Sequence, residues 1–217
     1  MPRRRAGFET SAEAFYADIP FPLGDSPYSC RGIAWMFHDE YVTEQLPGGE
    51  RAQNEALGQL ADDPFWQEIR LASGAYDVLP LIACGHACGD VTGLGMYEFS
   101  KLRSIHQGGR DLTAIRRLLL TLLTPTMVAR RFPFLLRSYF NFGEPGAEAI
   151  DGGVRMVMHH VPEVIASWLE AVCHGFVVYA IESTGCEVTS TAGSFTLTGV
   201  DEYGSPAGDV VFEIRWA

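Results

Sequence analysis

Cysteine and histidine alternate in Cys84-Gly85-His86-Ala87-Cys88, the residue types that hold zinc or activate a nucleophile. On a helix Cys84 and Cys88 share a face, while His86 is turned by about 200° from Cys84. The three cannot grip one ion unless the helix is broken. Two thiolates would supply half of a zinc site, and no second pair stands at matching spacing. The small residues Ala83, Gly85, Ala87 and Gly89 suit a plainer reading, in which two helices approach closely and the cysteines are small buried hydrophobes. No metal site is assigned, and His86 stays a candidate for contact with a ligand.

His159 and His160 form a second cluster, with His174 on the helix that follows. Adjacent strand residues point to opposite faces, so at most one of the pair faces the core, and a structural role is expected. Asp39, Glu40 and Glu44 lie on an early helix, and Glu40 and Glu44, four apart, read as a solvated face. Asp201-Glu202 precedes a Gly-Ser-Pro turn and reads as loop polarity. An acid–base pair needs one carboxyl in an apolar pocket, a context that neither group shows. Phosphate-loop, Gly-x-Gly-x-x-Gly and Gly-x-Ser-x-Gly patterns are absent. No catalytic residue is assigned, and the weight moves from enzyme towards binding module. The aromatics Trp168, Phe176 and Tyr179, with Phe132, Phe134, Tyr139 and Phe140, suit a hydrophobic cavity between helices and sheet. An ordinary core is the alternative.

These residues need elements to position them. Residues 1–29 carry Pro20, Pro22 and Pro27 without a sustained period, so an extended or partly disordered arm is expected. Helices are expected over His38–Leu46, Glu50–Leu60, Phe65–Leu71 behind Asp63-Pro64, Val78–Cys88 and Thr92–Arg103. Gly108-Gly109 reads as a break. Asp111 starts a helix through Leu112, Ile115, Leu118, Leu119 and Leu122, and a further amphipathic segment runs from Met127 to Tyr139. Gly143, Pro145 and Gly146 punctuate the chain. Val154–His160 then reads as a strand, and Pro162 opens a long helix with Ile165, Trp168, Leu169, Val172, Phe176 and Ala180 on one face. Glu187–Thr191, Phe195–Val200 and Val210–Trp216 follow as three antiparallel strands, turning at Ala192-Gly193 and Gly204-Ser205-Pro206. The expected architecture is a single α+β domain over 30–217. A mostly helical layer (30–146) packs on an antiparallel sheet that ends in a β-α-β-β-β unit (152–217).

The formal net charge of −11 repels phosphate backbones, and the arginines Arg116, Arg117, Arg130, Arg131 and Arg137 alternate with apolar residues instead of forming a basic patch. Nucleic acid is therefore not an expected partner. The five cysteines are an odd number and widely spread, which suits free thiols in a reducing compartment. The opening MPRRRAGFET lacks the apolar stretch of a secretory signal, and the longest greasy run, Leu118–Leu123, is too short for a membrane span. A cytoplasmic chain is expected.

Three stretches resemble known families. Gly32-Ile-Ala-Trp-Met-Phe-His-Asp-Glu-Tyr-Val-Thr-Glu44 resembles the entry of heme–nitric-oxide-binding domains. Leu112 to Phe142, with Thr-Pro, Arg-Phe-Pro and Tyr-Phe-Asn-Phe, is similar to an uncharacterised family expanded in myxobacteria. Glu182-Ser-Thr-Gly-Cys186 and Gly208-Asp-Val-Val-Phe-Glu-Ile-Arg-Trp216 look like the end of vinyl-reductase-type small-molecule-binding domains. Together they imply the fold of the nitric-oxide-signalling and Golgi-transport ligand-binding superfamily, a helical layer over an antiparallel sheet with a ligand cavity between. Heme-binding members carry a Tyr-x-Ser-x-Arg motif and a proximal histidine. The nearest string here, Tyr97-Glu-Phe-Ser100-Lys-Leu-Arg103, has different spacing, so no cofactor is assigned and heme lacks its motif. Val211 stands where the vinyl-reductase-type ending has a second cysteine, which leaves Cys186 without a partner thiol.

The expectation is a non-enzymatic small-molecule-binding or sensory domain, with Trp168, Val172, Phe176, Tyr139 and His86 contacting a small hydrophobic molecule. A structural or protein-interaction domain, homodimeric or with another partner and with its core filled, is the alternative. A Cys/His enzyme using Cys84 or His86 is the third reading.

Overall fold

The computed structural model describes residues 10–111 and 124–217, so the helix expected through Leu112–Leu122 lies outside the described residues. The chain divides into two compact units at Ser100/Lys101, where the sequence suggested a single domain from residue 30 onward. The α+β class expected from the pattern holds.

The first unit is mostly helical. It contains α1 (Ala12–Ala17), β1 (Ser29–Arg31), α2 (Gly32–Gln45), α3 (Gly49–Leu57), β2 (Ala75–Asp77), α4 (Leu79–Thr92) and the start of α5 (Gly95–Asp111). Every residue of α4 from Leu79 to Gly89 is buried, as befits a helix apolar on all sides. The expected arm is corrected over residues 10–29. Ser11 caps α1, its Oγ accepting from the Ala14 amide at 3.2 Å, and Ala12 and Tyr16 join the core. β1 pairs antiparallel with β2. The buried Asp77 carboxylate accepts from the amides of Ser26 and Leu79, each at 2.9 Å, and so ties this segment to the head of α4. The helix expected through Leu71 is also corrected, because only the single turn Pro64–Gln67 forms. Ile69 and Leu71 stay exposed, while Arg70 lies 4.2 Å above the Trp35 ring. A cation held there on aromatic faces breaks any apolar stripe.

The second unit holds the rest of α5, then α6 (Pro125–Tyr139), β3 (Glu144–Ile150), β4 (Gly153–Pro162), α7 (Glu163–Glu182), β5 (Val188–Val200) and β6 (Pro206–Trp216). The four strands form one antiparallel sheet in the order β3-β4-β6-β5. Val154, Met156 and Met158 of β4 and Val210, Phe212 and Ile214 of β6 are buried at period two, which is the pattern of a sheet covered on one face. Arg155, on the other face, spans Glu148 and Glu213 of the flanking strands. The C-terminal unit is therefore β-β-α-β-β and not β-α-β-β-β. Residues 144–150 extend despite Pro145 and Gly146, because they lie on an edge where a missing N–H costs nothing.

Two expected breaks are continuous structure. Gly108-Gly109 lies inside α5, and a Cβ on Gly108 would meet the Tyr179 ring at 2.8 Å. Ala192-Gly193 runs on within β5, where a Cβ on Gly193 would lie 2.0 Å from Oε1 of the buried Glu170. In both places glycine supplies clearance for a side chain of α7. Where α7 crosses α5, Gly175 does the same for backbone, since a Cβ would sit 2.3 Å from the Lys101 carbonyl oxygen.

α7 is the one described helix long and apolar enough to cross a membrane, and two-thirds of that stretch (67%) is buried. It behaves as the core helix of this unit.

Gly175→Ala is expected to lower stability by up to about 2 kcal/mol in urea unfolding, because overpacking against backbone (about 1–3 kcal/mol) exceeds the helix-propensity gain of about 1 kcal/mol. Gly199→Ala, where nothing lies within 4 Å, is expected to stay within about 0.5 kcal/mol of the parent.

Candidate functional site

The second unit contains an apolar cavity of about 30 Å³ between α5, α6 and α7. Three of the residues expected to contact a ligand line it: Tyr139, Val172 and Phe176. Phe132, Leu136 and Phe140 complete the apolar wall, and Ser104, Gln107 and Cys173 bring the polar atoms. The spacing of α7 explains the convergence, because Val172, Cys173 and Phe176 fall within one helical turn. α6 contributes Phe132, Leu136 and Tyr139 by the same rule. Phe132 meets Phe176 with ring centroids 5.8 Å apart.

Trp168, the fourth expected contact, is buried outside this lining and packs edge-on against Phe140 at 5.9 Å. It supports the wall from behind. Phe134 is 79% exposed and turns away from the core. The polar corner is partly committed, since the Ser104 hydroxyl donates to the Val172 carbonyl at 2.6 Å. Burial pushes the Cys173 thiol well above its ordinary value, and the neighbouring Glu170 carboxylate adds to the push. The sulfur in the cavity wall is therefore a neutral thiol.

His86, the fifth expected contact, lies in the core of the first unit and is not brought to this cavity. Its ring stacks on Phe15 at 4.8 Å, and burial lowers its pKa, so it is a neutral packed imidazole. Gln53 organises the polar atoms nearby. Its Oε1 lies 2.7 Å from His38 Nε2 and accepts from the Cys88 thiol at 3.2 Å, which links α2, α3 and α4. Cys84 and Cys88 are both buried. The close helix approach expected from the small residues is present at Gly89, where a Cβ would lie 2.5 Å from the Gly95 backbone.

The second histidine cluster departs from the expected alternation. A register shift between Met158 and Val161 puts His160 at φ 56°, and both His159 and His160 are exposed. The bulge inserts an unpaired residue, so the strand's period is lost there. His159 Nδ1 sits 3.0 Å from Asp209, a surface contact.

Sequence reasoning missed Gln107 and Ser104 in the cavity corner, and His38 with Gln53 in the first unit. Gln107 stands one turn beyond Arg103, and the Arg103 guanidinium donates to it at 3.4 Å. The polar residues Ser100, Arg103, Ser104 and Gln107 recur at helical spacing on one face of α5, and that spacing was the available signal.

The fold is similar to that of H-NOX domains. The crystal structure of the Fe(II) unliganded H-NOX protein from K. algicida aligns with a TM-score of 0.60 at 13% identity, over 86% of this chain and 96% of that one. The S. oneidensis H-NOX protein in its Fe(II)NO ligation state gives 0.57 at 10% identity, over 85% and 99%. An oxygen-binding H-NOX domain related to soluble guanylate cyclases, in its oxygen complex, gives 0.58 at 9%, over 86% and 94%. At these identities the likeness defines the fold. No family model and no curated protein matches the sequence.

Heme, the group this fold implies, does not fit the cavity of the second unit. A volume of about 30 Å³ is a tenth or less of the roughly 300–1,000 Å³ of ordinary cofactor and ligand sites. No histidine lines it, and histidine is the ligand that holds heme iron in globins and peroxidases. Ser100 and Arg103, of the string nearest the heme motif, are buried and bond along their own helix, to Met96 and Gln107.

Two outcomes follow for the thiols. Cys186 alone is not buried, so a thiol reagent is expected to modify one cysteine quickly in the native protein and all five after denaturation. For Cys173 the unfolded thiol ionises near 9.0 while the folded one does not. The unfolded chain then binds fewer protons, and stability is lost as pH rises through 9.0. The slope approaches about 1.4 kcal/mol per pH unit, and Cys173→Ala is expected to remove that contribution in urea unfolding followed against pH.

Proposed function

We propose that this chain is a non-enzymatic small-molecule-binding or sensory domain, whose ligand site is the apolar cavity between α5, α6 and α7. The convergence of Tyr139, Val172 and Phe176 on one cavity carries the reading. A polar corner of Ser104, Gln107 and Cys173 would orient a weakly polar ligand. Room of about 30 Å³ is enough for about two water-sized groups, so the ligand is an apolar molecule of very few heavy atoms. The likeness to H-NOX proteins, one described as oxygen-binding and one in an Fe(II)NO state, supports small diatomic-sized ligands without carrying heme over. Kinship with the uncharacterised myxobacterial family and a cytoplasmic location belong to the same proposal. The smallness of the cavity also favours a second reading, a protein-interaction domain whose core is filled by its own side chains.

Xenon separates the two, as an apolar probe of the right size. Under xenon pressure, the NMR resonances around Val172 and Phe176 are expected to shift saturably in the parent protein and to stay still in Val172→Phe, which fills the space. No saturable shift in the parent would leave the filled-core reading standing. Hemin is expected to give no saturable Soret band. Phe176→Ala is expected to cost about 3–5 kcal/mol and to admit a larger apolar probe such as benzene.

A further inference from the structure

The sheet of the second unit has two edges, and they are built differently. β3 is seven residues long, carries Glu144, Pro145 and Glu148, and packs against α6. Short length, charge, proline and cover are the devices that stop an edge from recruiting another strand. β5 is thirteen residues long, Val188-Thr-Ser-Thr-Ala-Gly-Ser-Phe-Thr-Leu-Thr-Gly-Val200, with no charged residue and no proline. All but Val188 and Phe195 are exposed, Leu197 at 51% and Val200 at 70%. β6 flanks it on one side, and among the described strands none flanks it on the other. Register shifts at Val188/Ser190 and Leu197/Gly199 leave the run from Ser190 to Leu197 regular.

We propose that β5 is a self-association edge: two copies of this chain pair antiparallel through Ser190–Leu197 and join their sheets across a two-fold axis. This stands apart from the cavity reading and is tested separately.

Three observations select a second copy as the occupant. The first is charge. Each chain carries −11, so copies repel over most of their surface, and a long strand free of charge is a place where they can meet. The second is self-complementarity. A two-fold axis sets the same residues against each other. Antiparallel pairing about Ser194 sets Ser194 against its own copy, a favourable cross-strand pair, with Ala192 opposite Thr196 and Gly193 opposite Phe195. Phe195 and Leu197 lie on the face that Gly193 turns to Glu170, because strand side chains alternate, and a neighbouring strand would cover them. The third is area. The eight paired residues at about 3.4 Å make an edge about 27 Å long and, with side chains on both faces, about 10 Å thick. That buries roughly 270 Å² per copy, well below the roughly 800 Å² of a stable interface. The dimer is accordingly weak and reversible, and salt strengthens it by screening the repulsion.

Sedimentation equilibrium of the full chain tests this, with amide hydrogen exchange read at the same concentrations. The average mass is expected to climb from 23.8 kDa towards twice that value between micromolar and millimolar protein, more steeply in added salt. Amides of Ser190–Leu197 should gain protection in parallel. The double variant Ser194→Glu/Thr196→Glu, which sets like charges across the axis, should remain at monomer mass with an unchanged circular dichroism spectrum. A parent mass constant at 23.8 kDa, or association without protection of β5, overturns the proposal. So does a folded double variant that dimerises like the parent. Should the double variant fail to fold, the exchange data on the parent decide alone.

Discussion

α7 can be buried along its length only because its neighbours withhold their side chains where it comes close. A helix of ordinary composition needs room of about 8–10 Å between axes. Gly175 lets α7 press on the carbonyl of Lys101, Gly108 of α5 receives the Tyr179 ring, and Gly193 of β5 receives the Glu170 carboxylate. From these contacts follow the burial of Trp168 and Phe176 and the closeness of α5, α6 and α7 around the cavity. They also explain why the space that remains is so small. A helix held this tightly leaves a gap of a few atoms, where a looser crossing would leave room for a cofactor.

The same contacts mark the limit of what the sequence made legible. Apolar runs and periodicity located α4, α6, α7, β4, β6 and the later part of α2, and placed Tyr139, Val172 and Phe176 on the apolar faces of their helices. Glycine was the weak point. At Gly108-Gly109 and Ala192-Gly193 it reads as a breaker, since local sequence reports conformational freedom and not the partner that needs the space. That partner, Tyr179 or Glu170, lies far away in the chain. β3 failed for a related reason: Pro145 and Gly146 argue against a central strand, and only the sheet order shows that this strand is an edge. Residues 10–29 lack a sustained period because their one helix, Ala12–Ala17, is too short to repeat a stripe, and the stretch beyond it is tied down through Ser26 and Asp77. His86 was singled out for its chemistry, and its role as a packed ring depends on Phe15, which no spacing rule connects to it.

A shared fold does not by itself bring a shared cofactor. The likeness to H-NOX domains extends over most of the chain, yet heme requires volume and a basic ligand, and the cavity of the second unit offers neither. That cavity holds instead the aromatic contact of Phe132 with Phe176 and a neutral thiol, which suit a gap that holds a very small apolar molecule, or one closed by its own side chains. Function resides in the site and not in the architecture that carries it.

Glu170 connects the features of the second unit that chemistry can reach. It lies on α7 about one turn before Cys173, its charge adds to the burial that keeps the Cys173 thiol neutral, and its carboxylate rests under Gly193 of the exposed strand β5. A carboxylate buried to this degree demands polar company, and backbone that lacks a Cβ is the nearest approach a strand can offer. The glycine that makes β5 flat and smooth at its centre is thus there for the helix below it. An edge strand bare of bulky or charged residues at that point is a consequence of how the core was closed, and the association surface and the cavity wall share one structural cause.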